Sequence, residues 1–156
     1  AAAGATVIST AGGPKLCDRV EAFGADVALE YTDDSLAEKI ANAAPRGVDV
    51  TLDHMLDTYL PMDLEVAAAG GRIVAIQGDV PVAPGPPLRG KGVTIRGRSG
   101  EQLTDRRAFY EGTLGPLVAD EVITPEIQAT YALEDAVEAE RVKANSRVVG
   151  KLVIPP

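Results

Sequence analysis

The sequence predicts an α/β fold around a doubly wound parallel sheet, and three features predict it. Apolar, β-rich runs recur through the N-terminal part of the chain; segments with helix start and stop signals separate them; and several runs are apolar at consecutive positions, as strands covered on both faces should be.

The runs are Ala5–Thr10 (ATVIST), Val27–Tyr31 (VALEY), Val48–Asp53 (VDVTLD), Arg72–Gln77 (RIVAIQ) and Val93–Gly97 (VTIRG). In the first intervening segment, PKLCDRVEAFGAD, Pro14 suits the first helical position, Leu16, Val20 and Phe23 fall on one face, and Gly24 supplies a left-handed stop. In SLAEKIANAAPRG, Ser35 and Glu38 have capping-box spacing, Leu36 and Ile40 share a face, and Pro45 ends the run. The third helix reads LPMDLEVAAAGG, with Leu60 and Leu64 one turn apart and Gly70-Gly71 closing it. Each helix would return the chain to a parallel strand by a right-handed crossover.

After about Gly100 this rhythm stops. EQLTDRRAFYEGTLGPLVAD reads as a helix interrupted at Gly115-Pro116; a short strand, a helix near Leu133–Ala144 and a last strand near Lys151–Ile154 follow. The Pro/Gly-rich Val80–Gly92 reads as a loop without regular structure, long enough to be functional or interface-forming.

Composition narrows the function classes. A chain of 156 residues with 46% hydrophobic and 24% charged residues is that of a soluble globular domain. A formal charge of -8 argues against nucleic acid and anionic membrane surfaces as partners. No apolar run has a membrane-spanning length, and the single cysteine, Cys17, rules out an internal disulfide and makes a reducing, cytoplasmic setting the default. His54 is the only histidine and lies far from Cys17 in sequence, so a zinc site built within the chain would need several carboxylates, which argues against one.

The motifs GATVISTAG with FGAD following, RGVDVTLDHML, AAAGGRIVAIQG and the terminal YALEDAVEAERVKANSRVVGKLVIPP, in this order and spacing, resemble the coenzyme-binding half of the zinc-independent, zeta-crystallin-like quinone oxidoreductases of the medium-chain dehydrogenase/reductase superfamily. The resemblance implies a Rossmann-type sheet over residues 1–100, and a helix and C-terminal segment over 101–156 that returns to a catalytic domain. It also implies that the first strand and glycine-rich turn precede Ala1. Ala1–Ala3 then resembles the tail of the helix after that turn. A complete small α/β protein with its initiator methionine removed is the other reading of that opening. Removing a central strand would leave Ala5–Thr10 and Val48–Asp53 about 10 Å apart. It would also make the chain a poor independent folder and a weak binder of coenzyme by itself.

The coenzyme preference is read where the first of these strands ends. A carboxylate there would bond a ribose 2′-hydroxyl and repel a 2′-phosphate. Ser9-Thr10-Ala11-Gly12-Gly13-Pro14-Lys15 has none before Asp18, which favours NADP, with Lys15 and Arg19 as phosphate-facing candidates and Asp18 as a first-turn carboxylate suited to the helix dipole. Gly12-Gly13 and Gly70-Gly71 lack the G-x-G-x-x-G spacing and read as turns. By resemblance, Gly12 and Tyr31 flank the adenosine, and Tyr59 takes a coenzyme-contact position. Ile76, Gln77, Gly78 and Asp79 run beside the nicotinamide, and Arg98, Ser99 and Gly100 add a further contact.

The implied reaction is zinc-independent hydride transfer from NADPH to a small-molecule quinone or conjugated carbonyl, with the catalytic groups outside this chain. His54, without a nucleophile motif around it, reads as structural, and Cys17 as a small packed thiol, although a first-turn position would lower its pKa. The implied partner is a second copy, paired through the sheet edge at Val93–Gly97. The C-terminal strands near Ile123–Tyr131 and Lys151–Ile154 would have no home sheet. Two other classes fit the scaffold: a non-catalytic nucleotide-binding or regulatory module, and a methyltransferase-like enzyme with Glu30 on the ribose.

Overall fold

The structure, a computed structural model, describes residues 3–78, 85–97, 105–145 and 148–155. The chain divides into two compact units, Ala1–Gln102 and Leu103–Pro156.

In the first unit strands and helices alternate: β1 (Ile8–Ala11), α1 (Pro14–Ala22), β2 (Val27–Glu30), α2 (Leu36–Ala43), β3 (Val48–Asp53), α3 (Leu56–Val66), β4 (Ala67–Ala75), α4 (Pro86–Lys91) and β5 (Thr94–Gly97). β1 pairs with β2, and β3, β4 and β5 pair in that order, every pairing parallel. Among the described residues β1 and β3 are not hydrogen-bonded to each other. Val50 and Leu52 of β3 stand 49% and 58% exposed, far more than suits apolar residues of a covered parallel strand.

Two apolar clusters hold the unit. Ile73, at 0% exposure, sits in β4 among Leu56, Ala67, Ala75 and Val93. Leu36, Ile40 and Val66 form the second, and Ile8 of β1 and Val48 of β3 both pack on it. The helix face assigned to Leu36 and Ile40 is therefore buried as the sequence indicates. That of α1 is not: Leu16 and Val20 are half-buried, while Phe23 is exposed with the Arg19 guanidinium 5.3 Å above its ring.

Four other expectations need correction. The capping box at Ser35 does not form, because Asp33 is the nearer acceptor: its Oδ1 takes the Ser35 N–H at 2.8 Å and the Ser35 hydroxyl at 2.6 Å. The third helix starts at Leu56, carries Pro61 inside it and ends at Val66, and β4 begins at the next residue. Gly70-Gly71 thus lies within a strand. Gly70 takes φ +73 at an irregularity where Val48 pairs with Ala67 but Val50 with Arg72; this left-handed glycine lets the bulged strand resume its ladder. The Pro-rich stretch is not wholly irregular, since Pro86 opens α4 at a first-turn position that tolerates a missing N–H, and left-handed Gly92 closes it.

In the second unit α5 (Arg106–Phe109), a π-helical turn (Tyr110–Leu114) and α6 (Gly115–Ala119) run on without a break. Pro116 sits in the first turn of α6, where its lost donor costs little, so Gly115-Pro116 widens the helix and does not interrupt it. β6 (Ile127–Thr130), a 3₁₀ turn (Leu133–Asp135), α7 (Ala136–Asn145) and β7 (Lys151–Val153) follow. The two C-terminal strands are not without a sheet: β6 and β7 pair with each other in parallel, and the Tyr131 N–H extends the ladder to the Val153 carbonyl at 2.9 Å.

Candidate functional site

Parallel strands put their carboxyl ends at one edge of a sheet, where open α/β sheets bind ligands. Two groups of candidates stand at such edges.

The first lies beyond β1 and β2. The Tyr31 N–H donates to the Ala11 carbonyl at 3.1 Å, which holds the residue after β2 against the end of β1 and beside Gly12. Gly13 then caps α1, its carbonyl accepting the Leu16 and Cys17 N–H groups at 3.0 Å each. Space above Gly13 is open, since a Cβ placed there would have no neighbour within 4 Å. Lys15 is exposed in the first turn of α1, and that turn carries no acidic residue; Asp18 falls one turn later than the sequence reading placed it. This edge offers a helix N-terminus and an ammonium, without a carboxylate in the same turn. Arg19 lies over Phe23, further along the helix.

The second group lies beyond β3 and β4. The Ile76 N–H donates to the Asp53 carbonyl at 2.8 Å, the Leu56 N–H to the Gln77 carbonyl at 3.1 Å, and the Met55 N–H to Asp53 Oδ1 at 2.7 Å. These bonds tie the start of α3 to the turn after β4. Tyr59, half-buried in the first turn of α3, is brought to the same edge as Ile76, Gln77 and Gly78, which are exposed. Asp79, Arg98, Ser99 and Gly100 lie outside the described residues.

The other candidates resolve differently. His54 is exposed just beyond β3. The Cys17 thiol is pushed above its ordinary value, first by desolvation and then by the charges of Glu30, Asp18 and Glu21, so its helix position does not activate it. Glu30, at the end of β2, lines a hollow of about 300 Å³ with Cys17, Asp33 and Lys39. A larger hollow of about 550 Å³ lies away from both edges, against Leu60, Pro61, Leu64, Glu65 and Lys91. Its one ammonium already donates to the Leu64 carbonyl at 3.1 Å, and the largely aliphatic wall offers little to orient a dinucleotide.

The sequence reading passed over one pair of side chains. Asp63, on α3, is 3% exposed and meets Asp53, 4% exposed, at the end of β3. Among the described residues no donor reaches Oδ2 of either, so the carboxyls hydrogen-bond to each other only when one is protonated. Burial, then the Asp53 charge, then that hydrogen bond push Asp63 up to about 7. Position was the available signal: Asp63 is seven residues after Leu56 and three before Val66, on the buried stripe of the helix.

The comparisons agree with this architecture. The zinc-binding dehydrogenase family model matches residues 23–154. A quinone oxidoreductase of Rattus norvegicus is 25% identical over 159 aligned residues, 97% of this chain and 47% of its own length. The crystal structure of 2-haloacrylate reductase superposes with a TM-score of 0.83 at 22% identity, covering 98% of this chain and 50% of that one. CurA of Vibrio vulnificus, crystallised with NADPH, gives 0.75 at 20% identity, covering 97% and 49%. The chain spans about half the length of these relatives. The described residues hold no group of three or more His, Cys, Asp or Glu placed to bind a metal. No helix among the described residues is long and apolar enough to cross a membrane. With a parallel, doubly wound scaffold, open carboxyl edges and a family match over most of its length, the chain belongs to the zinc-binding dehydrogenase family.

Proposed function

We propose that the chain is the NADPH-holding part of a quinone or enone reductase that works without zinc. The observation that carries the reading is the first turn of α1: an open glycine turn followed by exposed Lys15, with no carboxylate before Asp18. A 2′-phosphate gains there from the ammonium and the helix N-terminus, and a bare ribose finds no acidic partner. The quinone oxidoreductase name of the rat relative and the NADPH complex of the Vibrio neighbour support the same reading.

When bound, the nicotinamide supplies the hydride. This chain's residues hold and orient it: Gly12 and Tyr31 flank the adenosine, Lys15 faces the phosphate, and Tyr59 with Ile76, Gln77 and Gly78 borders the nicotinamide end and keeps water from it. Asp79, Arg98, Ser99 and Gly100 complete the proposed contact set. No catalytic residue is assigned within the chain. A further parallel strand, ending in the glycine-rich pyrophosphate turn, fills the place between β1 and β3 and covers Val50 and Leu52. The working protein is a cytoplasmic homodimer joined through β5.

The test is titration of the full-length protein with NADPH and NADH, with and without Lys15→Glu. The reading expects NADPH binding to weaken at least ~10-fold, about 1.4 kcal/mol, with NADH nearly unchanged. Equal loss of both, or of neither, would count against it.

A further inference from the structure

Asp53 closes β3 and Asp63 lies two turns into α3, so their contact joins the strand's carboxyl end to the body of the helix that follows it. The connection between them is short, and its backbone is fixed at both ends. Met55 N–H bonds Asp53 Oδ1, the Asp53 carbonyl takes the Ile76 N–H, and the Leu56 N–H reaches the Gln77 carbonyl. A change in the carboxyl pair therefore acts on the turn holding Ile76, Gln77 and Gly78.

We propose that Asp53 and Asp63 form a proton-operated latch: one shared proton joins α3 to the end of β3, and its loss sets two buried carboxylates against each other and loosens the 55–56 and 76–78 turns together. The atoms balance simply: the Asp63 carboxyl donates its proton to an Asp53 oxygen in the closed state and releases it to solvent in the open one. Two like charges in contact and out of water cannot both be held cheaply, and among the described residues no donor meets Oδ2 of either.

The surrounding charges are committed elsewhere or act weakly. On α2, Lys39 is bound to Asp33, and Glu38 is exposed. On α4, Lys91 donates to the Leu64 and Glu65 carbonyls, and Arg89 is exposed. Asp49 of β3 and Arg72 of β4 are exposed, as are Asp57 and Glu65 of α3 itself and His54 between β3 and α3. Asp53 is the charge that acts on Asp63. The latch does not depend on a bound dinucleotide.

The sign of the effect follows from the folded state's holding a proton that the unfolded state releases at lower pH. The folded chain loses stability as pH rises from the ordinary aspartate range to near neutrality, and above that the loss is complete. Over that window the unfolding constant rises about tenfold per pH unit for one retained proton.

The experiment is a pH titration of the whole chain, following the ¹³C resonances of aspartate carboxyls and the exchange protection of the Leu56 and Ile76 amides. The Asp63 carbon is expected to titrate near pH 7, with protection at both amides falling across the same step. In Asp63→Asn, whose amide still donates to Asp53, the step should vanish while protection stays high. Asp53→Asn keeps an acceptor for Met55 and offers a donor to Asp63, and should move the midpoint down. An Asp63 carbon that titrates with the exposed aspartates, a protection step that persists in Asp63→Asn, or a midpoint that stays in place in Asp53→Asn, would overturn the latch.

Discussion

The backbone N–H of Leu56 donates to the carbonyl of Gln77 at 3.1 Å, so the first residue of α3 is held against the turn that leaves β4. Gly78 closes that approach: it takes φ +104, and a Cβ there would come within 2.9 Å of the Leu56 and Asp57 nitrogens. Neither the dihedral nor the space admits a side chain. Gly78→Ala should cost roughly 1–3 kcal/mol from backbone strain alone. Thermal unfolding checks it, and coenzyme binding in the full-length protein should weaken in parallel.

Core and surface should separate sharply under truncation. Ile73 is fully enclosed, and Ile73→Ala should cost roughly 2–5 kcal/mol through lost burial and the cavity left behind. Val137 is 73% exposed on α7, and Val137→Ala should stay within about 0.5 kcal/mol of the parent. Chemical denaturation of the two variants measures both.

Asp33 gives an opposite pH dependence to that of Asp63. Hydrogen bonds from Lys39 and Ser35 hold its carboxyl well below the usual carboxylate range. A depressed folded value stabilises the fold above the unfolded value and loses that contribution as pH falls through the folded one. Asp33→Ala should therefore be less stable than the parent at neutral pH, and the two should converge in strong acid. Melting temperatures across an acid series test this. The exposed Lys39 partner keeps the effect small.

A dimer through β5 makes its own prediction. The strand is the outer member of its sheet and pairs only with β4 among the described residues. Light scattering on the full-length protein should give twice the chain mass, and proline at an outward-facing β5 position should give one. A monomer in the parent would remove the dimer from the account.

The sequence carried most of the element order because the strands and the helices α1 to α3 satisfy local rules, while α4 lies in a stretch that reads as a loop. Pro14 opens α1, Leu36 and Ile40 form the buried face of α2, and β3 occupies the expected Val48–Asp53. What it did not carry were outcomes decided by competition or by distant pairing. Ser35 meets its rival acceptor Asp33 only once the turn has formed. Ala67–Gly71 reads as a helix end, yet pairing with Val48 and Val50 recruits it into β4. β6 and β7 found each other across a helix, a non-local pairing that no local pattern marks. The proposed site was legible at the β1–α1 turn, where the lack of a carboxylate before Asp18 is a sequence fact. Asp53 and Asp63 were not, because only the fold brings them together.

The measurement that bears most directly on the coenzyme assignment is an amide-exchange footprint of NADPH on the full-length protein. The account predicts slowed exchange at two separate stretches, the β1–α1 turn around Gly12 and Lys15 and the turn Ile76–Gly78, with no change at β6 or β7. Exchange unaltered at both turns under saturating NADPH, or slowed only elsewhere, would contradict it.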